Sequence, residues 1–272
     1  MELTDTKEFG LHTGFKQLDE ITNGWQPSEL VVIAGQPAMG KTAFALSMIK
    51  RMAVDNKIPC AYFSLEMCTQ QLVQRLMINV CELSDQKLRN GQLVSNEWVQ
   101  FKNGVQQLYN SPLYIDDTPS VSISELQTKA RQIVREFGVR MILIDYLQLV
   151  NGGEKFMNRT EEQTHILHGL KELSQELKIP IIALSQLNRT TNREDNRPGL
   201  SGFREMEKSI EQYADKVCLI HRPEYYNVIT EEGKKESEEA EIIIYDTWSR
   251  ELNIIKLGFI KRKLQFEAFA SQ

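Results

Sequence analysis

Short apolar blocks rich in β-branched residues alternate along this chain with longer stretches of helical periodicity. The blocks predict strands at Leu30–Ala34, Cys60–Ser64, Leu113–Ile115, Met141–Ile144, Ile181–Leu184 and Val217–His221. Helices are predicted over Lys41–Asp55, Gln70–Val80, Glu97–Tyr109, Ser124–Phe137 and Glu161–Leu177. That alternation is the pattern of an α/β fold, a mostly parallel twisted sheet with crossover helices on its faces. Near the end, Glu241–Tyr245 and Leu252–Ile260 read as an antiparallel pair extending the sheet. Asn151–Arg159 and Asn188–Gly202 lack periodicity and read as loops, and residues 226–239, with the charge run Thr230–Glu236, as a solvated mobile loop. Residues 1–12 read as an N-terminal tail, and 1–272 as one domain.

Composition narrows this picture little. With 272 residues, 41% hydrophobic and 25% charged, the chain is of ordinary globular make-up. Its apolar runs are too short to cross a bilayer, so no membrane partner is expected. Glu2–Thr6 lacks the basic and apolar regions of a signal peptide, which predicts a cytoplasmic protein. A net charge of −5 argues against a broad duplex-binding face but leaves room for a narrow channel holding a single strand. Cys60, Cys68, Cys81 and Cys218 form no CxxC pair and no ligand spacing, so buried thiols in a reducing compartment are expected.

Chemistry enters at Gly35-Gln36-Pro37-Ala38-Met39-Gly40-Lys41-Thr42, with Ala43 behind it. This G-x-x-x-x-G-K-[ST] stretch follows a predicted strand and opens a predicted helix, which is the context of an ATP-binding P-loop. Its backbone N–H groups would wrap the phosphates at the positive end of the helix. Lys41 would reach the β- and γ-phosphates and the Thr42 hydroxyl would coordinate Mg²⁺. Met141–Ile144 ends in Asp145, an acid at a strand's C-terminal end and a second holder of the metal's hydration shell; capping the next helix is its other reading. Glu66, just past the strand after the P-loop helix, reads equally as an acid beside the nucleotide or as a first-turn acid of the next helix. Gln186 ends another strand in an amide suited to sensing a γ-phosphate.

Together these residues resemble the RecA-like motor domain of DnaB-type replicative helicases, from Thr13–Asp19 to about Phe259. The segments that carry the resemblance are Phe63-Ser64-Leu65-Glu66-Met67, Ile144-Asp145-Tyr146-Leu147-Gln148-Leu149, Ala183–Arg189, Ser209–Asp215 and Ala240–Ile244. It implies a P-loop NTPase fold, Glu66 as catalytic base, Gln186 as sensor, and a hexameric ring with ATP between subunits. It also implies that the two unpatterned loops grip single-stranded DNA, with Arg189, Arg204 and Glu205 as DNA-binding candidates.

Three departures stand beside it. No counterpart of the family's N-terminal domain precedes Thr13, and ring organisation and primase recruitment rest on that domain in the family. Met206-Glu207-Lys208 follows Arg204-Glu205 where the family's DNA loop usually carries Ser-Gly. The positions of a trans Lys-x-Arg pair are held by Asp246 and Trp248, leaving Arg250 or the basic run Lys261-Arg262-Lys263 to supply a displaced arginine finger. These departures motivate a second reading, a non-motor ATP-binding module that regulates a partner. A strand-exchange or clock-type ATPase shares the early motifs but fits Ser64–Met67 and the Gln186 segment less well.

Overall fold

The computed structural model describes residues 10–153, 155–187, 208–223 and 237–268. β1 (Leu30–Gly35), β2 (Cys60–Ser64), β3 (Leu113–Asp116), β4 (Met141–Asp145), β5 (Ile181–Gln186) and β6 (Lys216–His221) form a parallel array. β7 (Ser237–Asp246), β8 (Leu252–Ile260) and β9 (Gln265–Ala268) continue it antiparallel, in the order β3-β2-β4-β5-β1-β6-β7-β8-β9.

The apolar blocks are nearly continuous because both faces of the sheet are covered. Along β1, Val31 and Ile33 enter one core and Leu30, Val32 and Ala34 the other. The first core is shared with α1 (Lys16–Thr22), α2 (Lys41–Ile49) and α3 (Thr69–Cys81). The second is closed by α6 (Ile123–Phe137), α7 (Arg159–Leu177) and α8 (Lys208–Tyr213), while α4 (Asp85–Asn90) and α5 (Ser95–Tyr109) lie between in sequence. Each parallel strand therefore runs between two helical layers, and its C-terminal end opens where α2 begins.

Several expectations need correction. Leu11, within the expected tail, is buried and exchanges backbone hydrogen bonds with Trp25, because the apolar side chain finds the first core. Residues 237–239 belong to β7 rather than to the expected loop, since they pair with Ile260, Phe259 and Gly258. Positions 226–236 of that loop, and the loop Asn188–Gly202, lie outside the described residues. The helix over Lys41–Asp55 is α-helical only to Ile49 and continues as a π-helical turn over Lys50–Asp55. Arg159 opens α7 instead of closing a loop, with the Asn158 side chain accepting from the Glu161 N–H at 2.9 Å as its cap. The basic run 261–263 forms a 3₁₀ turn between β8 and β9, and Lys263 faces Glu82 at 3.4 Å. Of the four thiols only Cys68 is exposed. No helix among the described residues is long and apolar enough to cross a membrane.

Candidate nucleotide and metal site

The loop between β1 and α2 reverses direction over five residues and delivers Lys41 as the first residue of the helix. Gly40 makes this turn with φ +93°, a left-handed value that a Cβ resists, and an added Cβ would stand 3.1 Å from the Phe266 ring. With the backbone so fixed, the Lys41 ammonium folds back over the loop and donates to the carbonyls of Gly35 at 3.0 Å and Gln36 at 3.1 Å. Burial lowers its pKa, against the pull of the Asp145 and Glu66 carboxylates. The charge is thus held half-desolvated at the helix N-terminus, where an anion gains most from it.

Asp145 ends β4 and its backbone carbonyl accepts from the Leu65 N–H at 2.8 Å, so β2 and β4 remain registered up to the crevice. Its Oδ2 accepts from the Thr42 hydroxyl at 3.0 Å and from the Tyr62 hydroxyl at 2.7 Å. Burial raises the Asp145 pKa, and the two hydroxyls, Lys41 and Arg75 oppose that rise. Tyr62 is itself fully buried, and burial, then the neighbouring carboxylate, push its phenol well above the ordinary range. Asp145 does not cap the short 3₁₀ helix Leu147–Leu149, whose N-cap is Tyr146. The helical alternative for Glu66 also falls, because α3 begins three residues later with no acid in its first turn.

Glu66, Gln186, Lys41, Thr42 and Asp145 line one open cleft of about 340 Å³. Gln186 is placed by Gln148, which donates to the Gln186 carbonyl at 3.2 Å and to the Ser185 hydroxyl at 2.9 Å, and accepts from the Gln186 N–H at 3.2 Å. The lining residues that escaped the sequence include Arg75, Arg222 and Phe259. The Arg222 guanidinium stacks over Phe259 at 4.0 Å and donates to the Ala38 carbonyl at 3.2 Å. Arg222 lies one residue past β6, so only the apolar block before it carried a signal. Arg75 sits mid-helix in α3, where a charge ordinarily reads as solvated.

A hydroxyl and a carboxylate 3.0 Å apart are hard oxygen donors and suit Mg²⁺, which takes few protein ligands and completes its shell with water and phosphate oxygens. No cluster of three His, Cys, Asp or Glu able to hold a metal on its own occurs among the described residues. The residues present therefore fit a cation that arrives with a phosphate group.

Arg189, Arg204 and Glu205 lie outside the described residues. Arg250 follows β7 in the turn to β8, with φ +60° and its N–H bonded to the Asp246 carbonyl at 2.9 Å. Asp246 turns its carboxylate onto its own turn, accepting from the N–H groups of Trp248 and Ser249 at 3.0 and 2.8 Å.

Comparison with known proteins agrees with this geometry. The replicative DNA helicase DnaB of Geobacillus stearothermophilus is 42% identical over 262 residues, covering 94% of this chain and 56% of that protein. The replicative DNA helicase DnaC of Bacillus subtilis (strain 168) is 40% identical over 259 residues, with the same coverages. The chain thus spans about half the length of the curated relatives it matches. Among solved structures, the ATPase domain of G40P superposes with a TM-score of 0.88 at 33% identity, covering 98% of this chain and 93% of that one. A DnaB-like replicative helicase studied with its primase interactions gives 0.86 at 34% identity, covering 95% and 61%. Residues 10–268 match the family described as the DnaB-like helicase C terminal domain, and the chain belongs to that family.

Proposed function

We propose that this domain is the motor of a replicative DNA helicase: it binds ATP with Mg²⁺, hydrolyses it, and uses the turnover to move on single-stranded DNA in the cytoplasm as one subunit of a hexameric ring. The observation that carries the reading is the convergence of Lys41, Thr42, Asp145, Glu66 and Gln186 on one cleft from four different strand ends. Gly35 to Ala43 cradle the phosphates, and Lys41 exchanges its two carbonyl partners for phosphate oxygens. Thr42 and Asp145 are the residues that would hold the metal. When bound, Mg²⁺ neutralises charge on the β- and γ-phosphates. Glu66, exposed at the cleft wall, accepts the proton of the attacking water, and Gln186 reports the γ-phosphate to the loop beyond β5. Family membership supports the DNA and ring parts of the reading, with Arg189, Arg204 and Glu205 as DNA contacts.

The test is ATPase activity with and without a single-stranded oligonucleotide, for the wild type and Glu66→Gln. Single strands are expected to stimulate the wild type. The variant should lose about 10²–10⁴ in turnover, the range of general-base catalysis, while still binding nucleotide. An oligomeric wild type with no DNA-stimulated turnover would overturn the motor reading.

A further inference from the structure

Tyr62 occupies the middle of β2, a position that reads as core filling. Its ring does pack in the core beneath α2 and α3. Its hydroxyl, however, donates at 2.7 Å to Asp145 Oδ2, the same oxygen that takes the Thr42 hydroxyl at 3.0 Å. Two donors therefore meet on one carboxylate oxygen, one from the P-loop helix and one from the neighbouring strand.

We propose that Tyr62 is a positioning residue of the metal site, its phenol locking the Asp145 carboxylate in the orientation in which Oδ2 accepts from Thr42 and the group would hold Mg²⁺. The proposal rests on the reading of Thr42 and Asp145 as the metal-holding pair. A carboxylate's terminal torsion is broad and soft, and a single hydrogen bond from Thr42 leaves the group free to swing about that contact. The second donor sits on a fully buried ring, and the ring is fixed by packing on β2, which is registered with β4 through Tyr62↔Leu143 and Ser64↔Asp145. A phenylalanine would fill the same core. The hydroxyl oxygen is the atom that meets Asp145, and a buried hydroxyl is tolerated because Asp145 accepts its hydrogen bond. Outer-shell partners of this kind orient the ligand, and their loss weakens metal binding by about 10–100-fold.

The experiment measures ADP affinity by calorimetry in Mg²⁺ and in EDTA, for the wild type, Tyr62→Phe, Asp145→Asn and the double variant. Mg²⁺ should strengthen ADP binding to the wild type. In Tyr62→Phe that strengthening should fall by about tenfold, while affinity in EDTA stays close to the wild-type value. In the Asp145→Asn background Tyr62→Phe should add little, because both act through one carboxylate. Equal Mg²⁺ strengthening in the wild type and Tyr62→Phe, or a full further loss in the double variant, overturns the proposal. If Asp145→Asn also leaves the Mg²⁺ effect intact, the metal-site reading itself has failed. Thermal unfolding in EDTA separates either result from a loss of fold, since a core-filling role alone would lower stability without changing the Mg²⁺ dependence.

Discussion

The two ends of the parallel sheet carry similar numbers of charged groups and use them in opposite ways. At the C-terminal ends, Lys41, Asp145 and Glu66 surround an open cleft, and Lys41 is held by main-chain carbonyls that a phosphate can replace. At the N-terminal ends the charges are spent on each other. Lys216 pairs with Glu29 and lies 3.8 Å from Asp246, while Lys171 grips Asp215 at 2.7 Å, and Asp215 in turn accepts from the Leu30 N–H at 2.7 Å. Thr247 donates to the carbonyls of Ala214 and Asp215 at 2.7 and 2.9 Å. One end is an open cleft, the candidate receptor, and the other a latch. The difference follows from helix polarity, because α2 presents its N-terminal N–H groups only at the C-terminal ends of the strands.

The register adds a constraint. Lys216 is opposite Asp246 and beside Val31, so the turn carrying Asp246, Trp248 and Arg250 sits at the latch end. β1 has six residues, and five steps of about 3.3 Å put its two ends roughly 16 Å apart. The turn with Asp246 and Arg250 therefore stands at the far end of β1 from the P-loop.

Emptying the latch should have the largest effect on stability. Lys216→Met leaves Glu29 and Asp246 without their shared cation in a largely buried setting, and is expected to cost about 3–5 kcal/mol in urea unfolding. Burial already raises the Glu29 pKa, so part of that cost should be recovered in the double variant Glu29→Gln/Lys216→Met. A single variant as stable as the wild type would show that the latch end is not what ties β1 to β7. At the receptor end, Lys41→Ala should do the reverse. We expect at least about a hundredfold loss of turnover with little change in stability, because it removes a donor aimed at charge that develops in the reaction. A strongly destabilised Lys41→Ala would mean that its carbonyl contacts are structural and would blur the distinction between the two ends.

The receptor was largely legible because its parts announce themselves locally. The P-loop is contiguous, Asp145 and Gln186 end the apolar strands β4 and β5, and Glu66 lies two residues past β2. Tyr62 was not legible, since its hydroxyl meets a carboxylate 83 residues away and its neighbours are all core. Nor was the latch, because Glu29, Lys216 and Asp246 are joined only by strand pairing. α1 has seven residues and no side-chain cap, and β9 has four residues behind a basic turn, so neither offers enough periods to be recognised. β9 exists because β8 offers it an edge and Phe266 enters the core beside Phe44 and Phe259.

The smallest effect expected in a single subunit comes from the exposed turn at the latch end. Trp248 is 89% exposed and Arg250 stands in an open left-handed conformation, so Arg250→Ala should change unfolding stability by no more than about 1 kcal/mol. Nucleotide affinity should not move, since the turn lies at the far end of the strands. If Arg250 serves as a displaced finger, it serves another subunit's site, and the loss of turnover appears only in the assembled protein. Mixing then gives a sharp answer. An Arg250→Ala subunit retains an intact P-loop, and a Lys41→Ala subunit retains an intact Arg250, so an interface between them contains both functional halves. Recovery of DNA-stimulated hydrolysis on mixing two inactive variants would assign Arg250 to the neighbouring site. Full activity of Arg250→Ala alone would leave it a solvated turn residue and move the search for the trans cation elsewhere.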